Sequence, residues 1–163
     1  MNQKVSIIGA GMTGSTTAQW IASREIADIV LVDIVEGMPQ GKALDLQEAL
    51  PIIGKDVKIT GSNNYEATQD SDIVIITAGL PRKPGMSRDD LLFTNADIVR
   101  KATEETTKYA PNAIFIILTN PLDVMSYVAL KTAQIAPHKI IGQAGILDSA
   151  RMRAFVAMEL NVS

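Results

Sequence analysis

The chain alternates between short, almost uninterrupted apolar runs and longer stretches in which apolar positions recur with helical spacing. Segments 5–8, 29–32, 57–59, 73–76, 114–118 and 140–141 are rich in Val and Ile and mostly lack polar alternation. That pattern predicts strands covered on both faces, as in a parallel sheet. Segments 12–22, 38–49, 88–109 and 122–134 are predicted helices, and a last helix covers about 146–160. Ser87, with Asp89 and Asp90 behind it, reads as an N-cap followed by an acidic first turn. Pro111 bounds that helix, and Pro121 fits the first turn of the next. Strands and helices alternate, apart from two consecutive strands in the middle. This order predicts right-handed crossovers and a doubly wound α/β sheet. The stretch Leu80-Pro81-Arg82-Lys83-Pro84-Gly85-Met86 disfavours regular structure and is expected to be an exposed loop.

Gly9-Ala10-Gly11-Met12-Thr13-Gly14 follows the first strand directly and opens the first helix. A GxGxxG in that context, with Asp33 ending the second strand, is the pattern of a dinucleotide site. Gly9 permits the tight turn, Gly11 lets a pyrophosphate approach the backbone, and Gly14 lets helix and strand pack closely. The helix start offers N–H groups and a positive dipole end to the phosphates. Asp33 is expected to accept hydrogen bonds from the adenosine ribose. It would repel a 2′-phosphate, and Ile34-Val35-Glu36 supplies no basic residue, so NAD is favoured over NADP. The side chains of Met12 and Trp20 are expected to pack rather than to make specific ligand contacts.

Composition narrows the function. A length of 163 residues is that of one domain. A net charge of −3 argues against a nucleic-acid-binding surface. With no cysteine and a single histidine, His138, thiolate and multi-histidine metal sites are excluded, and no metal is expected. The longest apolar run, 113–118, is far short of a membrane span, and the start carries no signal-like region. A cytoplasmic location without a membrane or nucleic-acid partner is the expectation.

Arg82 and Arg88 flank the Pro-Gly loop, beyond a strand's carboxyl end, where ligands bind in open α/β sheets. Asp148 and Arg151 lie three apart on the last helix and share a face. With these stretches, and with Gly41-Lys42-Ala43-Leu44-Asp45-Leu46, Thr77-Ala78-Gly79 and Thr119-Asn120-Pro121-Leu122-Asp123, the sequence resembles the N-terminal half of the lactate/malate dehydrogenase family. The likeness is strongest to its lactate-dehydrogenase-like malate dehydrogenases and runs in order along the chain.

The resemblance implies a six-stranded Rossmann sheet in the order 3-2-1-4-5-6. It places an NAD-binding domain at 1–145 and the first helix of a substrate domain at 146–163. It also implies roles for individual residues. Arg82 would bind the distal carboxylate of a dicarboxylic substrate, malate or oxaloacetate, where lactate-specific relatives carry an uncharged residue. Arg88 would polarise the reacting carbonyl, Asn120 would hydrogen-bond its oxygen, and Arg151 would clamp the carboxylate beside it. Asp148 would orient a catalytic histidine that in the family lies past this helix; His138 matches no family motif. Asn95, Leu118, Thr119 and Asn120 would line the nicotinamide end of the site. The helix containing 41–50 is where family members pair, so a homo-oligomer is expected. The implied activity is hydride transfer between malate and NAD. The 163-residue chain alone is expected to bind NAD(H) without turnover. Half of a lactate or 2-hydroxyacid dehydrogenase and a standalone NAD-binding module are the other readings.

Overall fold

A computed structural model describes residues 3–81 and 84–163, with the side chain of Arg88 outside that description. The strands are β1 (Lys4–Ile8), β2 (Asp28–Val32), β3 (Ile59–Ser62), β4 (Ile73–Ile76), β5 (Ile114–Ile117) and β6 (Ile140–Gly142). The helices are α1 (Met12–Ser23), α2 (Met38–Ala49), α3 (Arg88–Tyr109), α4 (Leu122–Ala133) and α5 (Gly145–Leu160). The strands form one six-stranded sheet in the order β3-β2-β1-β4-β5-β6. Every pairing is parallel; β1 sits in the middle, with Val5 level with Ile29 on one side and Ile73 on the other. Sheet and order are those expected for the doubly wound α/β Rossmann fold.

Because side chains alternate along a strand, the sheet builds two cores. Ile7, Ile29, Leu31 and Ile75 face one layer and pack with Ala18 and Ala22 of α1 and Ala43 of α2. Ile8, Val30, Val32, Val74, Ile76 and Ile117 face the other and pack with Val99 of α3 and with Met125 and Ala129 of α4. Full burial of each such side chain contributes about 1.5–3 kcal/mol before chain entropy is counted. In α1 the buried positions are Gly14, Ala18 and Ala22, four apart and all small, which lets the helix lie close to the sheet. The large residues of α1 consequently point outward. Met12 is 84% exposed and Trp20 60% exposed, against the expectation that they pack. Trp20 carries the Arg24 guanidinium 5.6 Å above its ring.

The third strand begins two residues later than its apolar run suggests, at Ile59 rather than residue 57, and continues through Thr60, Gly61 and Ser62. At Gly61 a Cβ would lie 2.1 Å from the Pro39 carbonyl oxygen, so glycine is required where α2 meets β3. Short 3-10 turns at Leu50–Ile53, Tyr65–Thr68 and Pro137–Lys139 complete the chain. Ser87 caps α3 through a full capping box. Its Oγ accepts the Asp90 N–H (3.0 Å) and its own N–H donates to the Asp90 carboxylate (3.2 Å). Helix α5 buries none of its residues; Met152 and Phe155 are 70% and 67% exposed. No helix among the described residues is long and apolar enough to cross a membrane.

Candidate cofactor site

The strand order reverses direction between β1 and β4, and the crevice beyond their carboxyl ends is the general ligand position in such sheets. Four segments meet at this edge: 9–14 after β1, 33–36 after β2, 77–80 after β4 and 118–120 after β5.

The glycines of the first segment have separate jobs. Gly9 adopts φ +106°, and a Cβ there would meet the Thr77 hydroxyl at 2.7 Å and the Ala78 nitrogen at 2.8 Å. At Gly14 a Cβ would lie 1.8 Å from the Gly9 carbonyl oxygen, so α1 and the turn are in backbone contact. At Gly11 a Cβ would meet nothing within 4 Å; its space is open toward the solvent. Gly11 also serves as the N-cap of α1, with no capping side-chain hydrogen bond and no acidic residue in the first turn. Met12 and Thr13 are exposed in that turn. The result is an open cradle ending in a helix start that no side chain caps among the described residues, which suits a pyrophosphate.

Thr77 holds the cradle from below, its hydroxyl lying 3.2 Å from the Ile8 carbonyl and 3.1 Å from that of Gly9. Thr77 belongs to no local motif that would mark it for this role. Its position directly after a central strand is the signal that could have found it.

Asp33 stands beside the cradle. Its Oδ2 accepts the Ala10 N–H at 2.7 Å and its Oδ1 accepts the Val35 N–H at 3.0 Å. Each carboxylate oxygen keeps acceptor capacity for a ribose hydroxyl. Tyr65 lies in the same field. Burial, and then the charges of Glu105 and Asp33, raise its phenol above the usual tyrosine range, so it is neutral at neutral pH.

At the far end of the crevice, Asn95 is buried (3% exposed) and its amide is committed to the main chain. Oδ1 accepts the Leu80 N–H at 2.8 Å, and Nδ2 donates to the carbonyls of Asn120 (2.9 Å) and Leu80 (3.3 Å). Thr119 donates its hydroxyl to the Ala78 carbonyl at 2.8 Å. Leu118 is half-buried and Asn120 exposed, ahead of a cis Asn120–Pro121 bond. These residues stitch the loops after β4 and β5 together.

Among the residues expected at the substrate end, Arg82 lies outside the described residues. Arg88 begins α3, and its side chain is likewise undescribed. Asp148 and Arg151 form an ion pair at 3.3 Å on α5, with side chains 70% and 61% exposed. His138 is exposed in the turn Pro137–Lys139.

A parallel sheet with a glycine turn at its switch point and an acidic residue closing the second strand defines a dinucleotide-binding Rossmann domain. Comparison with known proteins agrees. Residues 3–142 match the family model described as lactate/malate dehydrogenase, NAD binding domain. The malate dehydrogenase of Thermomicrobium roseum is 61% identical over all 163 residues, which cover 53% of that protein. That of Roseiflexus sp. is 57% identical, with the same coverage. Among solved structures, the Cryptosporidium parvum malate dehydrogenase superposes with a TM-score of 0.95 at 50% identity, over 100% of this chain and 52% of that one. The lactate dehydrogenase of the same organism, complexed with lactic acid and nicotinamide adenine dinucleotide, gives 0.94 at 42% identity, over 100% of this chain and 51% of that one. The chain belongs to the lactate/malate dehydrogenase family and corresponds to its NAD-binding domain. It spans about half the length of the curated relatives it matches. NAD, the cofactor expected from Asp33 and the glycine turn, is the cofactor of that domain.

Proposed function

We propose that the chain is the cofactor-binding half of an NAD-dependent malate dehydrogenase, interconverting malate and oxaloacetate. The observation that carries the reading is the open cradle at Gly11 beside a carboxylate fixed for ribose recognition. The 61% identity to a malate dehydrogenase supports the choice of substrate.

Bound NAD supplies the hydride acceptor. The α1 start and the Gly11 backbone bind the pyrophosphate, and Asp33 binds the adenosine ribose. Arg82 pairs with the distal substrate carboxylate and Arg151 with the proximal one, since a guanidinium matches a carboxylate in two-pronged fashion. Arg88 and Asn120 stabilise charge on the substrate oxygen. Asp148 orients the histidine that takes the hydroxyl proton in the family. We read α5, with its exposed apolar side chains, as the start of the substrate domain, and the Gly41–Leu50 segment as an oligomer contact.

Calorimetric titration tests the cofactor half of the reading. Saturable NADH binding with much weaker NADPH binding is expected, and binding of neither would overturn it. The histidine of this 163-residue chain lies in the exposed 137–139 turn, so the chain alone is expected to show negligible oxaloacetate-dependent NADH oxidation. Loss of a general acid-base alone costs about 10²–10⁴-fold. A lactate-type substrate is the second reading, favoured by the likeness to the lactate dehydrogenase structure. Arg82 speaks against it. In the enzyme completed by a substrate domain, Arg82→Gln should move preference toward pyruvate.

A further inference from the structure

The loop after β2 carries the residue that reads the ribose, yet apolar packing does little to hold it: Ile34 is 86% and Val35 53% exposed. Its shape depends on hydrogen bonds: the Asp33 N–H donates to the Ser62 carbonyl and the Met38 N–H to the Val35 carbonyl, both at 3.2 Å, and one side chain just past the neighbouring strand supplies two more. Asn63, just past β3, donates both amide hydrogens to this loop, to the Asp33 carbonyl at 2.8 Å and to the Val35 carbonyl at 2.9 Å. Its Oδ1 accepts from Gln40 Nε2 at 2.7 Å. Gln40 can reach because Gly61 has no Cβ to keep the first turn of α2 off β3. The Val35 N–H, whose own carbonyl Asn63 holds, in turn donates to Asp33 Oδ1. A line of contacts therefore runs from the α2–β3 junction through Gln40 and Asn63 to the carboxylate.

We propose that Asn63, braced by Gln40, is a positioning residue for cofactor selectivity: it holds the 33–35 backbone so that the Asp33 carboxylate meets the adenosine 2′-hydroxyl and excludes a 2′-phosphate. This rests on the NAD reading above. Without the two amide hydrogens the loop keeps only two main-chain ties, Asp33 N–H to the Ser62 carbonyl and Met38 N–H to the Val35 carbonyl, both at 3.2 Å; the backbone between them gains freedom, and the Val35 N–H leaves Oδ1. The carboxylate is then held from one side only. NADH loses a preorganised acceptor, while NADPH meets a charge that can turn away.

The test is titration of the full chain with NADH and with NADPH, in the natural sequence and as Asn63→Ala. The NADPH-to-NADH Kd ratio should fall about tenfold, mainly through weaker NADH binding, as expected for loss of a hydrogen bond to a charged group. Gln40→Ala, at an exposed position, should move the ratio the same way by about threefold without threatening the fold. Hydrogen exchange of the Val35 amide, measured without cofactor, should speed up in both variants. A merely structural Asn63 would lower the melting temperature and weaken both dinucleotides equally. An unchanged ratio in both variants, with the natural chain binding NADH normally, would overturn the positioning role alone. Failure of the natural chain to bind NADH would overturn the cofactor reading and this one with it.

Discussion

Two carboxylates mark opposite ends of this chain, and their surroundings differ. Asp33 is gripped by two backbone amides, one from the glycine turn and one from its own loop, and that loop is tied to β3 by Asn63. Asp148 touches Arg151 at 3.3 Å on a helix that buries no residue. Preorganised groups bind without paying reorganisation costs, and loosely held ones do not. The nucleotide end therefore carries its own rigidity within 163 residues. The α5 end instead pairs its acid and its base on an exposed helix face.

The sharpest way to break this contrast is within the glycine turn. Gly14→Ala puts a methyl 1.8 Å from the Gly9 carbonyl, a backbone clash that no rotamer change relieves. Unfolding in urea should show a loss of at least about 3 kcal/mol. Gly11→Ala is the control one turn away. Its methyl meets nothing within 4 Å, so stability should change by no more than about 1 kcal/mol. On the proposed cofactor reading, nucleotide affinity should nevertheless fall at least about tenfold, because the methyl would stand where the pyrophosphate approaches the backbone. Equal effects of the two substitutions on stability would remove the assignment of separate jobs to the two glycines.

A smaller effect is expected at the α3 cap, which orders the first turn behind the Pro-Gly loop. Ser87→Ala should cost about 1 kcal/mol in thermal unfolding. The sign of its pH dependence is fixed by Asp90. Hydrogen bonds from the Ser87 side chain and then the Ser87 backbone lower the Asp90 pKa below its ordinary 3.8. A lowered folded-state pKa contributes stability above the unfolded value, and that contribution disappears as pH falls through the folded one. The stability gap between the natural chain and Ser87→Ala should therefore narrow below about pH 3.8. A gap that widens there would mean that Asp90 is not held by the cap.

Much of this was legible in the sequence. Uninterrupted Val and Ile runs marked five strands within a residue or two, because a fully covered parallel strand has no polar face to hide its pattern. The glycine spacing and Asp33 marked the cradle, because each follows from backbone geometry. β3 was displaced because its last three residues, Thr60-Gly61-Ser62, are not apolar and include a glycine that only the approach of Pro39 explains. Trp20 and Met12 misled because size suggests burial, whereas α1 buries its alanines to approach the sheet. Asn63 and Thr77 stayed silent because their work is done on main-chain carbonyls far away in sequence, 28 residues for Val35 and 69 for Ile8. Such pairings leave no local spacing to read.

The smallest expected effect is also the one that tests the other half of the contrast. Arg151→Ala removes a pairing of two exposed side chains three residues apart, and exposed ion pairs contribute about 0–1 kcal/mol. In this chain the change in unfolding free energy should stay within about 0.5 kcal/mol, and NADH affinity should not move. If the proposed function holds, the same substitution in the enzyme completed by a substrate domain should instead cost orders of magnitude in kcat/KM, because Arg151 would then clamp the substrate and position the reacting carbon. A loss above about 1 kcal/mol in the 163-residue chain would show that α5 is docked and that Arg151 holds it. The two ends of the molecule would then differ in degree of ordering, and the exposure of Asp148 would no longer separate it from Asp33.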